Sequence, residues 1–492
     1  MAHKAQINYI NRIREKYPNK FRHVSVLDIG SRDINGNNRQ FFSMPEYTGI
    51  DVWDGDNVDV VCKGHEFDSK NYFDTVISTE CLEHDPYYAE TVKNMVRLTR
   101  PGGLMLFTCA TTGRPEHGTT RTETYSNEGT AQMFDDYYKN LTETDIRDVL
   151  DLSQFETYQF DVDRGHSDLY FHGIKKRMKI DFIISHLGLF GSVRELIENG
   201  NNLSRLGHDV TVWTAEGTPC KWLYQNFRTK SYQNQVIDTD VLILMDSPQP
   251  DQFRFFSQSN AKFKTMIMMG FEPDNFHLYI TPETYDNLMP HPEATVKNLH
   301  YILRNYEMCA DGQWQLDYMA KYGVKTGVAI GGINTSMFYP IGVQRKGIII
   351  SGDHRERKGT PILEQALKGL KYTRYAGTND QDELRMKLAS ALIYVDNHTR
   401  AGWVNPVLEA MACGCAVVCS ELGANRDFAI NGETAIVVPK NDVKAFRAGV
   451  DELINNPDKR LALSAAAVRK ALEWDYHIVT KRFEQYLYGK VS

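Results

Sequence analysis

The chain of 492 residues lacks several features that mark whole classes of protein. No apolar run reaches the roughly 18 residues that a membrane-spanning helix needs, and the first residues lack the apolar core of a signal peptide. Positive charge is not in excess either, because the formal net charge is −7. A general affinity for nucleic-acid phosphates is therefore disfavoured. We expect neither a membrane-spanning nor a secreted protein, and no nucleic-acid partner.

Cysteine is sparse, and its spacing indicates no metal site. The eight cysteines form no C-x-x-C pair, and no group of histidines has the spacing of zinc ligands. Several cysteines lie inside apolar, strand-like runs, where a free thiol behaves as a small hydrophobic group. We therefore expect a reducing cytoplasmic environment and no bound metal.

Short β-rich runs alternate with helical patterns along the whole chain, which predicts an α/β fold with parallel sheets covered by helices. The length suggests about three domains. We predict three Rossmann-like units, with boundaries at residues 1–176, 177–335 and 336–492. The first unit contains five strands followed by an antiparallel pair that closes the sheet, and the last two units face each other across a cleft. The basic segment His172–Lys179 is interpreted as a solvated linker, with a patch that steers an anionic substrate as the alternative.

In the first unit, an apolar strand runs into a turn rich in glycine and asparagine, with the sequence VLDIGSRDINGN. Such a turn, at the carboxyl end of the first strand of an open sheet, lets a nucleotide approach the backbone. Asp51 ends the second strand, where ribose hydroxyls are usually bound. The turn is not G-x-G-x-x-G, because only Gly30 and the displaced Gly36 are glycines. A dinucleotide-dependent oxidoreductase or epimerase is therefore disfavoured.

These residues, together with FDTVISTECLEH and LTRPGGLMLFTC, resemble the class I S-adenosylmethionine-dependent methyltransferases over about residues 20–175. The resemblance implies a binding site for adenosylmethionine, in which Asp51 holds the ribose and Glu80 lies near the sulfonium. The other implied residues, on the methionine and ribose side, are Asp28, Gly30 and Ser31.

The first unit departs from this family at two positions of the turn. Arg32 and Ile34 stand where the family has its second and third alternating glycines, and Gly36 is a candidate to compensate. Methyl transfer to oxygen benefits from a general base. His84 and His117 lie after the fourth and fifth strands and are the candidates, with surface or loop-stabilising histidines as the alternative interpretation.

The remaining chain contains three segments in which small or basic residues precede a helix: SHLGLFGSVREL, GDHRERKGTPILEQAL and WVNPVLEAMACGCAVVCSEL. From about residue 178 onwards they resemble a GT-B glycosyltransferase of the retaining family 4. The resemblance implies that Arg355 and Lys358 neutralise the leaving diphosphate, with Arg357 as an alternative, and that Glu409 binds the nucleotide ribose. The other implied substrate-binding residues are Gly188, Gly191, Asn405 and Val407.

One departure affects the predicted sugar site. The family has a glutamate eight residues before the position of Glu409, and this chain has Ala401 there, followed by Trp403. Members of the family are described as working without a metal or a protein nucleophile, so no protein base is named in this half. His186 is a candidate for inspection, with a core or loop histidine as the alternative interpretation.

The resulting hypothesis is a bifunctional enzyme. It uses a nucleotide sugar and adenosylmethionine to glycosylate and methylate a glycan, in the synthesis of a surface polysaccharide. The alternative is that one half is catalytic and the other is a binding or scaffolding module. Glu272, in an aromatic-rich stretch, is a candidate to bind a glycan or lipid-linked glycan acceptor. We expect a cytoplasmic protein; peripheral contact with the inner membrane face, the nucleotide base, the sugar and the oligomeric state are left open.

Overall fold

A computed structural model describes residues 4–69, 71–122, 128–245, 248–269, 293–352, 358–375, 380–399 and 401–491. These residues form three sheets, of seven, seven and five strands. The chain divides into two compact units: Met1–Met178 with Leu206–His208, and Lys179–Arg205 with Asp209–Val491. The α/β class and the Rossmann-like sheets predicted from the sequence are confirmed.

The first unit is built on one sheet with the strand order β3-β2-β1-β4-β5-β7-β6. All neighbouring strands are parallel except β7, which runs antiparallel to both β5 and β6. The predicted seven strands and the closing antiparallel pair are therefore confirmed. The strands are β1 Ser25–Ile29, β2 Glu46–Asp51, β3 Val60–Val61, β4 Phe73–Thr79, β5 Thr99–Ala110, β6 Phe155–Asp163 and β7 Asp168–Lys175.

Helices cover both faces of this sheet. Successive strand residues point to opposite sides, so each strand contributes apolar side chains to both faces. In β5, Leu104 and Leu106 join the core under the first helix, whereas Met105 and Phe107 join the core on the other face. The first helix contributes Tyr9 to the same core as Leu104 and Leu106. The helices of this unit are α1 Lys4–Lys16, α2 Tyr88–Leu98, α3 Glu128–Met133 and α4 Glu143–Arg147.

The segment predicted as a solvated linker is mostly a buried strand, so that prediction is wrong. His172 and Lys175 belong to β7 and are 2% and 3% exposed. The ammonium group of Lys175 donates to the carbonyl oxygens of Val96 and Thr99, at 2.9 and 2.8 Å. A lysine is tolerated at this position because two backbone acceptors compensate the loss of water.

The amino-terminal half of the second unit is a wholly parallel sheet in the order β10-β9-β8-β11-β12-β13-β14. Its strands are β8 Lys179–Ile183, β9 Asp209–Thr214, β10 Arg228–Ser231, β11 Asp238–Leu244, β12 Asn260–Met268, β13 Glu307–Ala310 and β14 Thr326–Ala329. Its helices are α5 Gly191–Leu206, α6 Pro250–Gln258, α7 Glu293–Asn305 and α8 Gln313–Ala320.

The carboxyl-terminal half of the second unit is a five-stranded parallel sheet in the order β16-β15-β17-β18-β19. Its strands are β15 Ile348–Ser351, β16 Tyr372–Tyr375, β17 Ile393–Asp396, β18 Ala416–Ser420 and β19 Ile436–Val438. Its helices are α9 Thr360–Ala366, α10 Gln381–Ala389, α11 Asn405–Ala412, α12 Val443–Asn455 and α13 Pro457–Leu472. The last helix, α14 Tyr476–Val491, returns to the amino-terminal half, where Lys490 forms an ion pair with Glu307 at 2.7 Å.

The eight cysteines are all free thiols, and five of them are buried. Among the described residues, no helix has both the length and the apolar character required to cross a bilayer.

Candidate functional site

The turn after β1 requires a glycine at its first position. Gly30 has a φ of +76°, in the left-handed region, and its N–H donates to the carbonyl of Ile50 at 2.9 Å. A Cβ at Gly30 would lie 2.5 Å from the Cβ of Cys81. A side chain would therefore combine backbone strain with a collision. The turn packs directly against the residues that follow β4.

Asp28 and Ser31 are both buried and hydrogen-bonded to neighbouring residues. Asp28 is fully buried, and its two carboxylate oxygens accept hydrogen bonds from Asn38 at 2.9 Å and from the Tyr47 hydroxyl at 2.5 Å. Burial raises the pKa of Asp28 to about 6, although both hydrogen bonds oppose the rise. Ser31 is also buried and donates to the carbonyl of Asn57 at 2.9 Å. The structure thus engages both side chains within the protein.

Asp51 lies at the carboxyl end of β2, beside the turn. Its carboxylate accepts hydrogen bonds from the N–H groups of Arg32 and Trp53, at 3.2 and 3.1 Å. Burial raises the pKa of this half-buried carboxyl group. Each oxygen still has acceptor capacity for a further hydroxyl group. Gly36 has a φ of +100° and donates to Asp33, so it closes a separate turn.

Glu80 follows β4 in an unusual backbone conformation. Its φ of +50° lies in the left-handed region, which costs a residue other than glycine about 1–3 kcal/mol and is found mostly at functional sites. Burial, followed by the nearby Asp168, raises the pKa of Glu80 to about 7. Arg114 lies between these acids, 3.6 Å from Glu80 and 2.9 Å from Asp168.

The structure brings His84 and His117 together at this edge of the sheet. Their rings meet edge-on with centroids 5.3 Å apart, and both contact the ring of Tyr138. His84 ends a short 3₁₀ helix after β4, and His117 lies in the loop after β5. Burial, with a smaller effect from His117, lowers the pKa of His84 to about 4. The base role predicted for these histidines stays a prediction.

A small cleft lies between the two halves of the second unit. Arg194 at the start of α5 forms an ion pair with Glu409 in α11, and the two side chains are only 18% and 4% exposed. Helix α11 begins at Asn405, and the preceding Val404 provides no side-chain cap. The lining includes Arg194, Glu198, Asn334, Gln381, Asn405 and Glu409. Charged and hydrogen-bonding groups of both halves thus converge on one cleft.

Two predicted glycines lie on the amino-terminal side of this unit. A Cβ at Gly191 would lie 3.1 Å from the Asn405 amide nitrogen, so this glycine is where the two halves approach closely. Gly188 donates its N–H to Nδ1 of His186 at 3.1 Å and accepts from the indole of Trp222 at 3.0 Å. His186 is exposed, and its ring accepts this hydrogen bond from the backbone of its own loop.

Lys358 belongs to a chain of polar contacts that includes two residues missed by the sequence analysis. Its ammonium nitrogen lies 2.5 Å from Nε2 of His398, whose Nδ1 lies 2.6 Å from the carboxylate of Asp396. Burial alone would raise the pKa of Asp396, but His398 and Lys358 lower it to about 2. The signal was present in the run LIYVDNHT, where an acid and a histidine follow a predicted strand.

Other predicted residues do not reach the cleft in this structure. Val407 is fully buried, and its N–H donates to the carbonyl of Val404 at 3.1 Å. Trp403 is buried between Phe428 and Trp474, with ring centroids 4.9 and 5.1 Å away. Trp403 therefore packs in the core.

Three predicted residues cannot be placed: Arg355, Arg357 and Glu272 lie outside the described residues.

Comparison with protein families matches each end of the chain to a different class of transferase. Residues 1–170 match the methyltransferase domain model, and residues 345–470 match the model of the glycosyl transferases group 1. The chain therefore combines two transferase domains. The chain is thus similar to the methyltransferase-domain family over its first third and to the group 1 glycosyltransferases over its carboxyl-terminal part.

Curated relatives resemble only part of the chain. D-inositol 3-phosphate glycosyltransferase of Thermobispora bispora is 32% identical over 98 residues, which cover 20% of this chain and 22% of the relative. O-antigen chain mannosyltransferase B of Escherichia coli is 26% identical over 150 residues, 30% of this chain and 37% of the relative. The matches thus span well under half the length of these relatives.

Among solved structures, sucrose-phosphate synthase of Thermosynechococcus elongatus matches 63% of this chain and 98% of its own length. The TM-score is 0.52 at 14% sequence identity. This likeness shows that the predicted GT-B fold is present.

Proposed function

We propose that the chain is a bifunctional enzyme that transfers a sugar from a nucleotide-sugar donor to a glycan acceptor and methylates a glycan hydroxyl with S-adenosylmethionine. One observation carries the proposal: each unit has its own set of buried charged groups where parallel strands end. In open α/β sheets, ligands bind at that edge. We assign methyl transfer to residues 1–176, acceptor binding to residues 177–335 and donor binding to residues 336–492.

The edge of the first sheet suits an adenosyl group. Gly30 allows the tight turn against Cys81, and Asp51 has acceptor capacity for ribose hydroxyls. Adenosylmethionine supplies a methyl group on a positively charged sulfur, so a negative charge on Glu80 would favour its binding. Methyl transfer then depends mainly on the alignment of the donor with the acceptor oxygen. His84 and His117 lie on the side where the acceptor would enter.

The cleft of the second unit suits a nucleoside diphosphate sugar. The N-terminus of α11 has no side-chain cap, and its positive dipole favours a phosphate. Lys358 adds positive charge for the leaving diphosphate, and Glu409 can accept hydrogen bonds from the nucleotide ribose. We propose that Arg194 orients the Glu409 carboxylate, because the two side chains form a buried ion pair.

We further propose that sugar transfer retains the anomeric configuration and needs no metal. Cationic side chains at the diphosphate stabilise the charge that develops there. The leaving phosphate then accepts the proton of the acceptor hydroxyl.

The proposed setting is the synthesis of a surface polysaccharide on a glycan or lipid-linked glycan. The name of the similar O-antigen chain mannosyltransferase B supports this setting. We place the protein in the cytoplasm, and at the inner face of the membrane when its acceptor is lipid-linked.

A second candidate function follows from two departures in sequence. Ala401 replaces the acid that the family uses at the transferred sugar, and Arg32 and Ile34 replace two glycines of the adenosyl turn. Under this alternative, one half binds its ligand or partner without catalysing a reaction.

The test is a thermal-shift screen of the purified full chain. Ligands are adenosylmethionine, adenosylhomocysteine and UDP-, GDP-, dTDP- and CMP-sugars, because a ligand that binds only the folded state raises the Tm. Asp51→Asn should abolish the adenosyl shift alone, and Glu409→Gln should abolish the nucleotide shift alone. Asp56→Asn and Glu433→Gln are matched controls, since both acids are exposed and belong to the same halves.

Turnover completes the test. The bifunctional proposal requires both ligand shifts, methyl transfer to an acceptor glycan and sugar transfer with retained configuration in the NMR spectrum of the product. Binding without turnover in one half would support the second candidate. Shifts that persist in the two site variants would refute the site assignment.

A further inference from the structure

Glu83, His84 and His117 form a compact group of potential metal ligands. One ligand atom from each residue lies within 4.8 Å of those of the other two. Glu83 and His84 are adjacent on the 3₁₀ helix after β4, and His117 comes from the loop after β5. The wide separation in sequence explains why ligand spacing did not reveal this group.

The charged groups around Glu83 are unbalanced. Glu83 is fully buried, and neither of its carboxylate oxygens has a hydrogen-bond partner among the described residues. Nδ1 of His84 is likewise buried without a partner in the described part of the chain. Burying such a carboxylate without compensation is costly.

The neighbouring basic side chains form ion pairs with acids other than Glu83. Arg114 pairs with Glu80 and Asp168, and Lys139 pairs with Asp145 at 2.8 Å. Within the described ranges, no lysine or arginine forms an ion pair with Glu83. A bound cation would supply the missing positive charge.

His117 is held as metal-binding histidines commonly are. Its Nδ1 lies 3.1 Å from the carbonyl oxygen of Pro115. The same nitrogen lies 3.2 Å from the Tyr138 hydroxyl. The tautomer with a proton on Nδ1 satisfies the carbonyl and leaves the lone pair of Nε2 available to a metal. A second hydrogen bond of this kind orients the ring and raises its basicity as a ligand.

We propose that Glu83, His84 and His117 bind a divalent first-row transition-metal ion. Two imidazole nitrogens and one carboxylate oxygen suit such ions better than magnesium or calcium, which prefer oxygen ligands alone. Three protein ligands leave coordination positions open towards the edge of the sheet. Both histidines then act as ligands rather than as the general base.

The test uses the full chain without an affinity tag, stripped of metal with a chelator and titrated with Co²⁺. Visible absorption reports the ligand type, and elemental analysis reports the stoichiometry after Zn²⁺ loading. We expect one equivalent bound, with no thiolate charge-transfer band. Glu83→Gln and His117→Gln should each weaken Co²⁺ binding at least tenfold. His23→Asn is the control, since His23 is exposed and asparagine tolerates its left-handed φ of 52°.

Near-UV circular dichroism checks that each variant folds. Glu83 is buried, whereas His117 is half-buried, so the His117 variant keeps the test informative if the Glu83 variant unfolds. Absence of stoichiometric binding, binding unchanged in the His117 variant, or a cysteine signature in the spectrum would each overturn the proposal. Adenosylmethionine binding is measured separately, so its failure would refute the proposed methyl-transfer function without bearing on the metal site.

Discussion

Replacement of Asp311 by asparagine should remove a pH-dependent loss of stability from the second unit. Asp311 follows β13 and is hydrogen-bonded to Glu195 in α5, and each residue is only 2% exposed. Burial, with the neighbouring Asp311, raises the pKa of Glu195. Burial thus favours the protonated form of Glu195.

The magnitude follows from the pKa of Asp311, which burial raises from 3.8 to about 6 despite the hydrogen bond from Glu195. The folded state binds this proton more tightly than the unfolded state does. Its stabilising contribution is complete below pH 3.8 and is lost as the pH rises through about 6. A rise of about two units corresponds to about 3 kcal/mol. Asparagine has no proton to lose, so the variant escapes this loss.

The assay is urea unfolding between pH 4.5 and 7.5, followed by tryptophan fluorescence. Trp53 is the only tryptophan of the first unit, so the signal reports mainly on the second unit. The free energy of unfolding is extrapolated linearly to zero urea. We expect the difference between Asp311→Asn and wild type to move in favour of the variant by about 2 kcal/mol across this range, because part of the loss has already occurred at pH 4.5.

The control is Asp317→Asn, because Asp317 is exposed on the neighbouring α8 and its change should leave the pH dependence unaltered. A constant difference between Asp311→Asn and wild type at every pH would refute the idea that Asp311 ionises at the expense of stability.

Three further perturbations have defined outcomes. Gly30→Ala should abolish adenosylmethionine binding in isothermal titration calorimetry because its Cβ meets Cys81, whereas Gly36→Ala, which has open space, should retain binding; equal binding by both variants would contradict the role of the turn. Lys175→Met should lower stability by about 2–4 kcal/mol in urea unfolding, since two buried carbonyl groups lose their donor, and an unchanged midpoint would contradict this. Asp396→Asn should destabilise the second unit by about 2 kcal/mol at pH 7, because the folded state lowers the pKa of Asp396 from 3.8 to about 2. The ionised carboxylate contributes this stability above pH 3.8, and the contribution is lost as the pH falls through 2. A deficit that does not shrink in acid would argue against that contribution.

Much of the candidate site could be predicted from the order of strands and turns. Glu80 and the two histidines follow neighbouring strands, and parallel strands end at the same edge of a sheet. The approach of Gly191 to Asn405 is consistent with the predicted close packing of two halves, but its role towards a donor stays a prediction.

The partners of buried charged residues could not be predicted from local sequence. Lys175 belongs to a basic run that resembles a solvated linker, yet two distant carbonyl groups accept its hydrogen bonds. Asp28 accepts hydrogen bonds from Asn38 and Tyr47, and nothing in its local sequence indicates either partner. Each pairing joins segments whose distance depends on the completed sheet.

The sequence by itself determined the three sheets, the closing antiparallel pair and the glycine-containing turn after the first strand, because hydrophobic periodicity and turn preferences act over a few residues. Only the tertiary structure decided which charged groups meet: Arg194 with Glu409, Glu195 with Asp311, and Glu83 with two histidines. The physical reason is that burial and charge compensation depend on every element packed around a side chain, and such neighbours lie far apart along the chain.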